Sequence, residues 1–351
     1  MTRIVVERDV RWKALRAQGA DLLLFATLVG VGVSYGLGYR LDWSEENGRP
    51  EDDIEVAEVP APAASAPQAV LLPSEPVLSP VAAPEIRSNV RSLAWDKMVL
   101  DLDKAAARYP GRVSIFLKDL RTGKTWMHHP DDLFPAASLI KVPILIAAFY
   151  KMKDGQLSLD EKLTVSRRNR VGGSGSLKWR PDGTKLSVRD LLVHMINESD
   201  NTATKMLLGR LGLGYVQQQF PRIGLLYTGI YEEGMSIKGG RVLHENYTTA
   251  REMSMLFEKI YHGEAVDKPS SDLMLEILKK PKAIASRLAK GMPIGWEIAH
   301  KTGLLRQACH DSAIFLTPNG DYAMTVLTGQ NQSYSQAKTL ITKLARVTFV
   351  N

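Results

Sequence analysis

The stretch Pro135-Ala136-Ala137-Ser138-Leu139-Ile140-Lys141-Val142-Pro143 decides how the rest of the chain is read. Residues 138–151 are apolar on nearly every face, which predicts a buried helix. Ser138 and Lys141, three apart, share one side of it. Free N–H groups and the dipole at a helix N-terminus favour negative charge near the Ser138 oxygen. A lysine drawn into an apolar interior can lose its proton and act as a base. Ser335-Gln336-Ala337-Lys338 has the same spacing but lies in an amphipathic pattern, so it raises no such expectation. Pro143 is in tension with a helix starting at Ser138, because it removes a hydrogen bond one turn in.

Upstream, residues 92–108 read as a helix with Leu93, Met98, Leu100, Leu102 and Ala106 as apolar contacts. Val113, Ile115 and Leu117 alternate as in a strand, and Arg121-Thr122-Gly123 turns the chain into a second strand through Trp126. Downstream, Ser187 and Asp190 form a capping box, Asn201 can cap the next helix, and Thr249 with Glu252 forms a second box. Residues 299–302, 312–316 and 322–328 read as strands, with Pro318-Asn319-Gly320 as a turn, and residues 335–349 as a closing amphipathic helix. Strands therefore lie at both ends and helices in the middle. An α/β domain with one sheet built from both ends and a helical insertion between them explains that order.

Ordinary composition, 44% hydrophobic and 24% charged over 351 residues, excludes a collagen, a long coiled coil or a wholly disordered chain. The single cysteine, Cys309, excludes an internal disulfide and Cys-rich metal sites. The net charge of +7 contains no Lys/Arg block of nucleic-acid type. No His/Asp/Glu spacing suggests a metal site and no phosphate loop occurs, so neither metal nor cofactor is expected.

Arg3, Arg8, Arg11, Lys13 and Arg16 precede an apolar run at 22–38, near the short end of what spans a bilayer as a helix. Trp12, Tyr35, Tyr39 and Trp43 could sit at the interfaces, and no small-x-small cleavage site follows. The expectation is a cytoplasmic N-terminus at 1–21 and a single-pass anchor at 22–38 in the inner (cytoplasmic) membrane. An acidic then Pro/Ala-rich linker follows at 39–85, and a domain at 86–351 lies outside the cytoplasm, periplasmic or extracellular.

Two further motifs follow the first, Ser199-Asp200-Asn201 between two capped helices and Lys301-Thr302-Gly303 on a late strand. Taken singly, Asp200 and Asn201 read as cap and turn, and Lys301 as an edge-strand lysine. Taken together with Ser138-x-x-Lys141, in this order and at these separations, the sequence resembles the penicillin-recognising serine hydrolases, most closely the class A β-lactamases. The flanking Asp200-Asn201-Thr202-Ala203-Thr204 and His300-Lys301-Thr302-Gly303 add to the likeness. The resemblance implies an antiparallel sheet flanked by helices plus an all-helical subdomain, with the active site between them. It implies Ser138 as acylated nucleophile, Lys141 as its proton acceptor and Ser199 as proton relay. Asn201, Lys301, Thr302 and Gly303 would bind substrate, and the N–H groups of Ser138 and Leu304 would form the oxyanion hole.

The family's Glu-x-x-Leu-Asn loop is missing from residues 212–247. Glu232 and Glu233 stand at about the right distance from Asn201, but Leu-Asn follows neither, and both read as solvated loop acids. The expected function is a membrane-anchored serine hydrolase forming an acyl-enzyme with a β-lactam or a D-alanyl cell-wall peptide. Alternatives are a penicillin-binding or sensor protein without turnover, or an esterase. Cys309, His300 and His310 read as structural, because neighbours on a strand face opposite ways, and Arg306 as an exposed surface residue.

Overall fold

The computed structural model describes residues 83–231, 234, 244–280 and 286–350, all within the unit Leu78–Asn351. The described residues open with helix α1 (Ala83–Ala107), which begins inside the stretch read above as linker. Strands β1 (Arg112–Asp119), β2 (Thr125–His128) and β3 (Phe134–Pro135) lead to a 3-10 turn at Ala137–Ile140 and helix α2 (Lys141–Lys153). Short strands β4 (Lys162–Thr164) and β5 (Lys185–Ser187) precede helices α3 (Val188–Asn197), α4 (Asn201–Leu211) and α5 (Leu213–Ile223). After β6 (Tyr247–Thr248) come α6 (Ala250–His262), α7 (Lys268–Lys279), β7 (Glu297–Leu305), β8 (Ala308–Leu316), β9 (Tyr322–Gly329) and α8 (Tyr334–Phe349).

Among the described residues the main sheet has five antiparallel strands in the order β2-β1-β9-β8-β7. First and last strands of the domain thus share one sheet, as the strand–helix–strand order predicts. Alternation divides its faces. Val113, Ile115 and Leu117 of β1 pack with Met98 and Leu102 of α1 and with Leu340, Ile341 and Leu344 of α8. Phe116, pointing the other way, joins the core built around α2, α3 and α6. Of the contacts assigned to α1, Leu93 and Leu100 are exposed instead, since only the Met98–Leu102 side meets the sheet.

The α2 segment differs from its sequence reading at the start. Ser138 lies in the 3-10 turn and the α-helix begins only at Lys141. Pro143 therefore falls in the first helical turn, where its missing N–H costs little, and the tension disappears. Every residue from Lys141 to Tyr150 is buried. Burying side chains such as Ile144, Leu145 and Phe149, at about 1.5–3 kcal/mol each, helps offset the cost of carrying Lys141 inward.

The Ser187–Asp190 box is reciprocal, as expected. The other two caps differ. Asp200, not Asn201, caps α4 through the Ala203 N–H. Thr249 accepts the Glu252 N–H, but the Glu252 carboxylate turns away from the cap. It accepts the N–H groups of Leu226 (2.6 Å), Tyr227 (2.8 Å) and Thr228 (2.7 Å) and the Thr228 hydroxyl (2.6 Å). Among the described residues no helix is long and apolar enough to cross a membrane. The 22–38 anchor, the linker up to residue 82, and Glu232 and Glu233 lie outside the described residues.

Candidate active site

Three elements converge on one cleft. The first is the turn that carries Ser138. In a 3-10 turn residues i and i+3 eclipse, so Ser138 and Lys141 stand one above the other, with Nζ 3.2 Å from Ser138 Oγ. Ala137 enters the turn at φ +48°, a left-handed backbone that non-glycine residues rarely adopt. Behind it, Gly303 of β7 supplies the room: a Cβ there would lie 3.1 Å from the Ala137 Cβ. That close approach sets β7 against the Ser138 turn.

The second element is the junction of α3 and α4. Ser199 holds φ +52°, and the next residue, Asp200, locks the junction from inside the protein. Its two carboxylate oxygens accept from Ala203 N and Leu177 N, both at 2.8 Å, tying helix α4 to the loop before Trp179. Asn201 donates from Nδ2 to Gly172 O (2.9 Å), which turns Oδ1 towards Lys141. Asp200 thus caps as read, while Asn201 turns to Lys141.

The third is β7, the sheet edge. An edge-strand lysine should reach solvent, yet Lys301 is only 2% exposed because the helical region covers that edge. Its Nζ donates to Ser199 Oγ (3.0 Å) and Thr302 O (2.9 Å).

Lys141 Nζ lies 2.6 Å from Ser199 O, 2.8 Å from Asn201 Oδ1, 3.1 Å from Ser199 Oγ and 3.2 Å from Ser138 Oγ. Burial, then the nearby Lys301 charge, hold its ammonium well below the ordinary lysine range, with Asp200 opposing. The two carbonyl oxygens can only accept, so in the neutral amine they would take its two N–H bonds. Its lone pair remains for the serine hydroxyls. Burial also lowers Lys301, to about 7, with Asp311 opposing and Arg287 adding to the fall.

The cleft encloses about 230 Å³ and is lined in part by Ser138, Ser199, Lys301, Thr302 and Leu304. All the residues singled out in the three motifs are thus brought to one place. Arg306 is exposed near the β7–β8 turn, away from that lining, and Cys309 is buried in the core on the α1/α8 side. His310 accepts the Thr328 N–H at Nδ1 and contacts Pro135 O at 2.7 Å, anchoring the approach to the Ser138 turn; burial holds it neutral, with its pKa down to about 4. His300 lines the cleft, its Nδ1 3.7 Å from Asp311 Oδ1, a separation too long for a hydrogen bond.

Two charged lining residues escaped the sequence reading. Arg287 is held there because the buried Asp311 carboxylate accepts Arg287 N (2.7 Å), Leu288 N (3.1 Å) and Ser286 Oγ (2.9 Å). No local pattern around Arg287 announces this. Glu198 adjoins Ser199, and that adjacency was the available signal. Its carboxylate accepts Ser176 N (3.1 Å) and Ser176 Oγ (2.6 Å). His194, Glu198 and Asp200 also bring ligand-type atoms within 4.8 Å of one another, a grouping the sequence reading missed because it mixes i,i+4 spacing with a turn. Their carboxylates are engaged by the N–H groups of Ser176, Leu177 and Ala203.

Comparison with known proteins shows the family and the fold. A family model described as the β-lactamase enzyme family matches residues 98–350. The chain is 24% identical to β-lactamase VEB-1 of Pseudomonas aeruginosa over 270 residues, 72% of this chain and 90% of that one. It is 26% identical to a β-lactamase of Streptomyces cellulosae over 218 residues, 60% and 70% of the two. Among solved structures, a mutant of PBP-A in an acyl-enzyme complex with penicillin G is 29% identical, with TM-score 0.66 over 73% of this chain and 96% of that one. A β-lactamase from Sphaerobacter thermophilus is 26% identical, with TM-score 0.66 over 72% and 96%.

Proposed function

The chain belongs to the β-lactamase enzyme family and is a class A β-lactamase-like serine hydrolase, and from that premise we propose that it acts through an acyl-enzyme at Ser138. The observation that carries this reading is the buried Lys141 Nζ within hydrogen-bond distance of both serine hydroxyls, with burial and Lys301 lowering its proton affinity. Ser138 Oγ attacks the substrate carbonyl as Lys141 takes its proton. The C–N bond then breaks, and the proton passes through Ser199 to the leaving nitrogen. Two N–H groups, of Ser138 and Leu304, receive the oxyanion. Lys301, Thr302 and Arg287 hold the carboxylate of the substrate, and Asn201 its side-chain amide. The substrate class is a β-lactam or a D-alanyl cell-wall peptide; the penicillin G complex of PBP-A supports the former.

A fluorescent penicillin should label the folded chain covalently, and peptide mapping should find the adduct on Ser138. Absence of both an adduct and hydrolysis of the drug, on folded protein, would overturn the penicillin-recognising reading.

The same proposal sets the domain outside the cytoplasm, tethered by residues 22–38. The basic flank and apolar run support it. Full-length protein should fractionate with membranes and resist salt extraction; a mature N-terminus found within residues 59–84 would mean release instead.

A further inference from the structure

Charge in the cleft is divided between its walls. Lys301 and Arg287 belong to the sheet side, and Glu198, the C-cap residue of α3, to the helical side. Helix stability does not account for Glu198, because an anion at a helix C-terminus opposes the dipole. Ser176 holds its carboxylate through two hydrogen bonds, and His194 Nδ1 lies 3.2 Å from the other oxygen. About a third of the side chain, 36%, remains exposed. Burial alone would raise its pKa, but the Ser176 bonds and the neighbouring His194 outweigh that and keep it below the ordinary range. It is therefore an oriented anion, next in sequence to Ser199, in a cleft whose lining also holds Lys301 and Arg287.

Ser199 marks the leaving-group side in the acyl-enzyme reading, on which this inference rests. The leaving portion of the substrate then sits between Lys301 and Arg287 on one wall and the Glu198 anion on the other. We propose that the site selects acyl donors whose leaving portion is zwitterionic, with a carboxylate towards Lys301 and Arg287 and a cationic group towards Glu198. The cation takes no part in bond making. During acylation the Ser138 Oγ–carbon bond forms, the carbon–nitrogen bond breaks, and the Ser138 proton ends on the leaving nitrogen. Glu198 contributes only attraction for the departing fragment.

A matched pair of cephalosporins tests this. Cephaloridine and cephalothin share the thienylacetyl side chain and the ring carboxylate. They differ on the ring, which carries a pyridinium group in the first and a neutral acetoxy group in the second. Second-order acylation rate constants for both would be measured by rapid-quench mass spectrometry on the full chain and on its Glu198→Gln variant, which retains an acceptor for Ser176. The cephaloridine/cephalothin ratio should fall roughly three- to tenfold in Glu198→Gln, the size expected for one partly exposed charge pair. Dividing one ratio by the other cancels the intrinsic reactivity of the two drugs. An unchanged ratio, on protein that acylates, would overturn the proposal and leave the acyl-enzyme reading standing. If neither drug acylates folded wild-type chain, the acyl-enzyme reading falls and takes this one with it. If Glu198→Gln fails to fold, Glu198→Ala gives the same comparison: its ratio should fall likewise, and an unchanged ratio would overturn the proposal.

Discussion

Lys141→Arg should slow acylation of Ser138 by roughly 10²–10⁴-fold, the usual contribution of one general base. The cause is proton affinity. Lys141 can act as a base because burial and Lys301 hold its ammonium below the normal range. A guanidinium stays protonated at any working pH, so Arg has no lone pair to offer. Removing the burial argument leaves no reason for so large an effect, since Arg keeps both the charge and the donors of an ordinary lysine. Rapid-quench mass spectrometry gives the acylation and deacylation rate constants, and circular dichroism verifies the fold. Wild-type acylation in a folded Lys141→Arg variant would remove Lys141 from the base role. Glu233→Gln is the counterpart in the same experiment. As a solvated loop acid Glu233 should leave both rate constants unchanged, whereas a deacylation defect would assign it the water-activating role that the missing Glu-x-x-Leu-Asn loop leaves open.

The second large effect concerns stability and lies at Glu252. This buried carboxylate accepts four hydrogen bonds from residues 226–228. Glu252→Ala leaves three backbone N–H groups and a hydroxyl without their anionic acceptor. Each unsatisfied buried donor costs about 1–3 kcal/mol, and partial entry of water keeps the total to about 3–5 kcal/mol. For a domain of this size that lowers Tm by roughly 8–15 °C. Glu252→Gln isolates the charge: it keeps the shape but turns one acceptor into a donor facing other donors, so it should still cost more than about 1 kcal/mol. Differential scanning calorimetry measures both, and a Tm within about 2 °C of wild type for Glu252→Ala would refute the role.

Much of the site was legible in the sequence because the three motifs are short and their residue types are the chemistry. A serine and a lysine three apart share a side in any helical turn, whether α or 3-10, so mistaking the turn at Ser138 for the start of α2 did not disturb the pairing. Alternation in β1 fixed which side chains face α1 and α8, and the strand–helix–strand order already implied a sheet closed by both ends of the domain. These are local periodicities, and local periodicity survives without knowledge of the fold.

What the sequence by itself determined, then, was the set of reactive groups, the layer architecture and the family they resemble. Only the tertiary structure decided their state. Lys301 reads as an edge-strand cation and is in fact buried, because distant helices cover that edge. The lowered proton affinity of Lys141 depends first on its burial and then on Lys301, remote in the chain, with Asp200 opposing. Arg287 reaches the cleft through Asp311, and Glu252 leaves its cap for a loop more than twenty residues upstream, neither of which any local pattern encodes. Desolvation and charge coupling act through space, so they appear only when the chain has brought those groups within a few ångströms of one another.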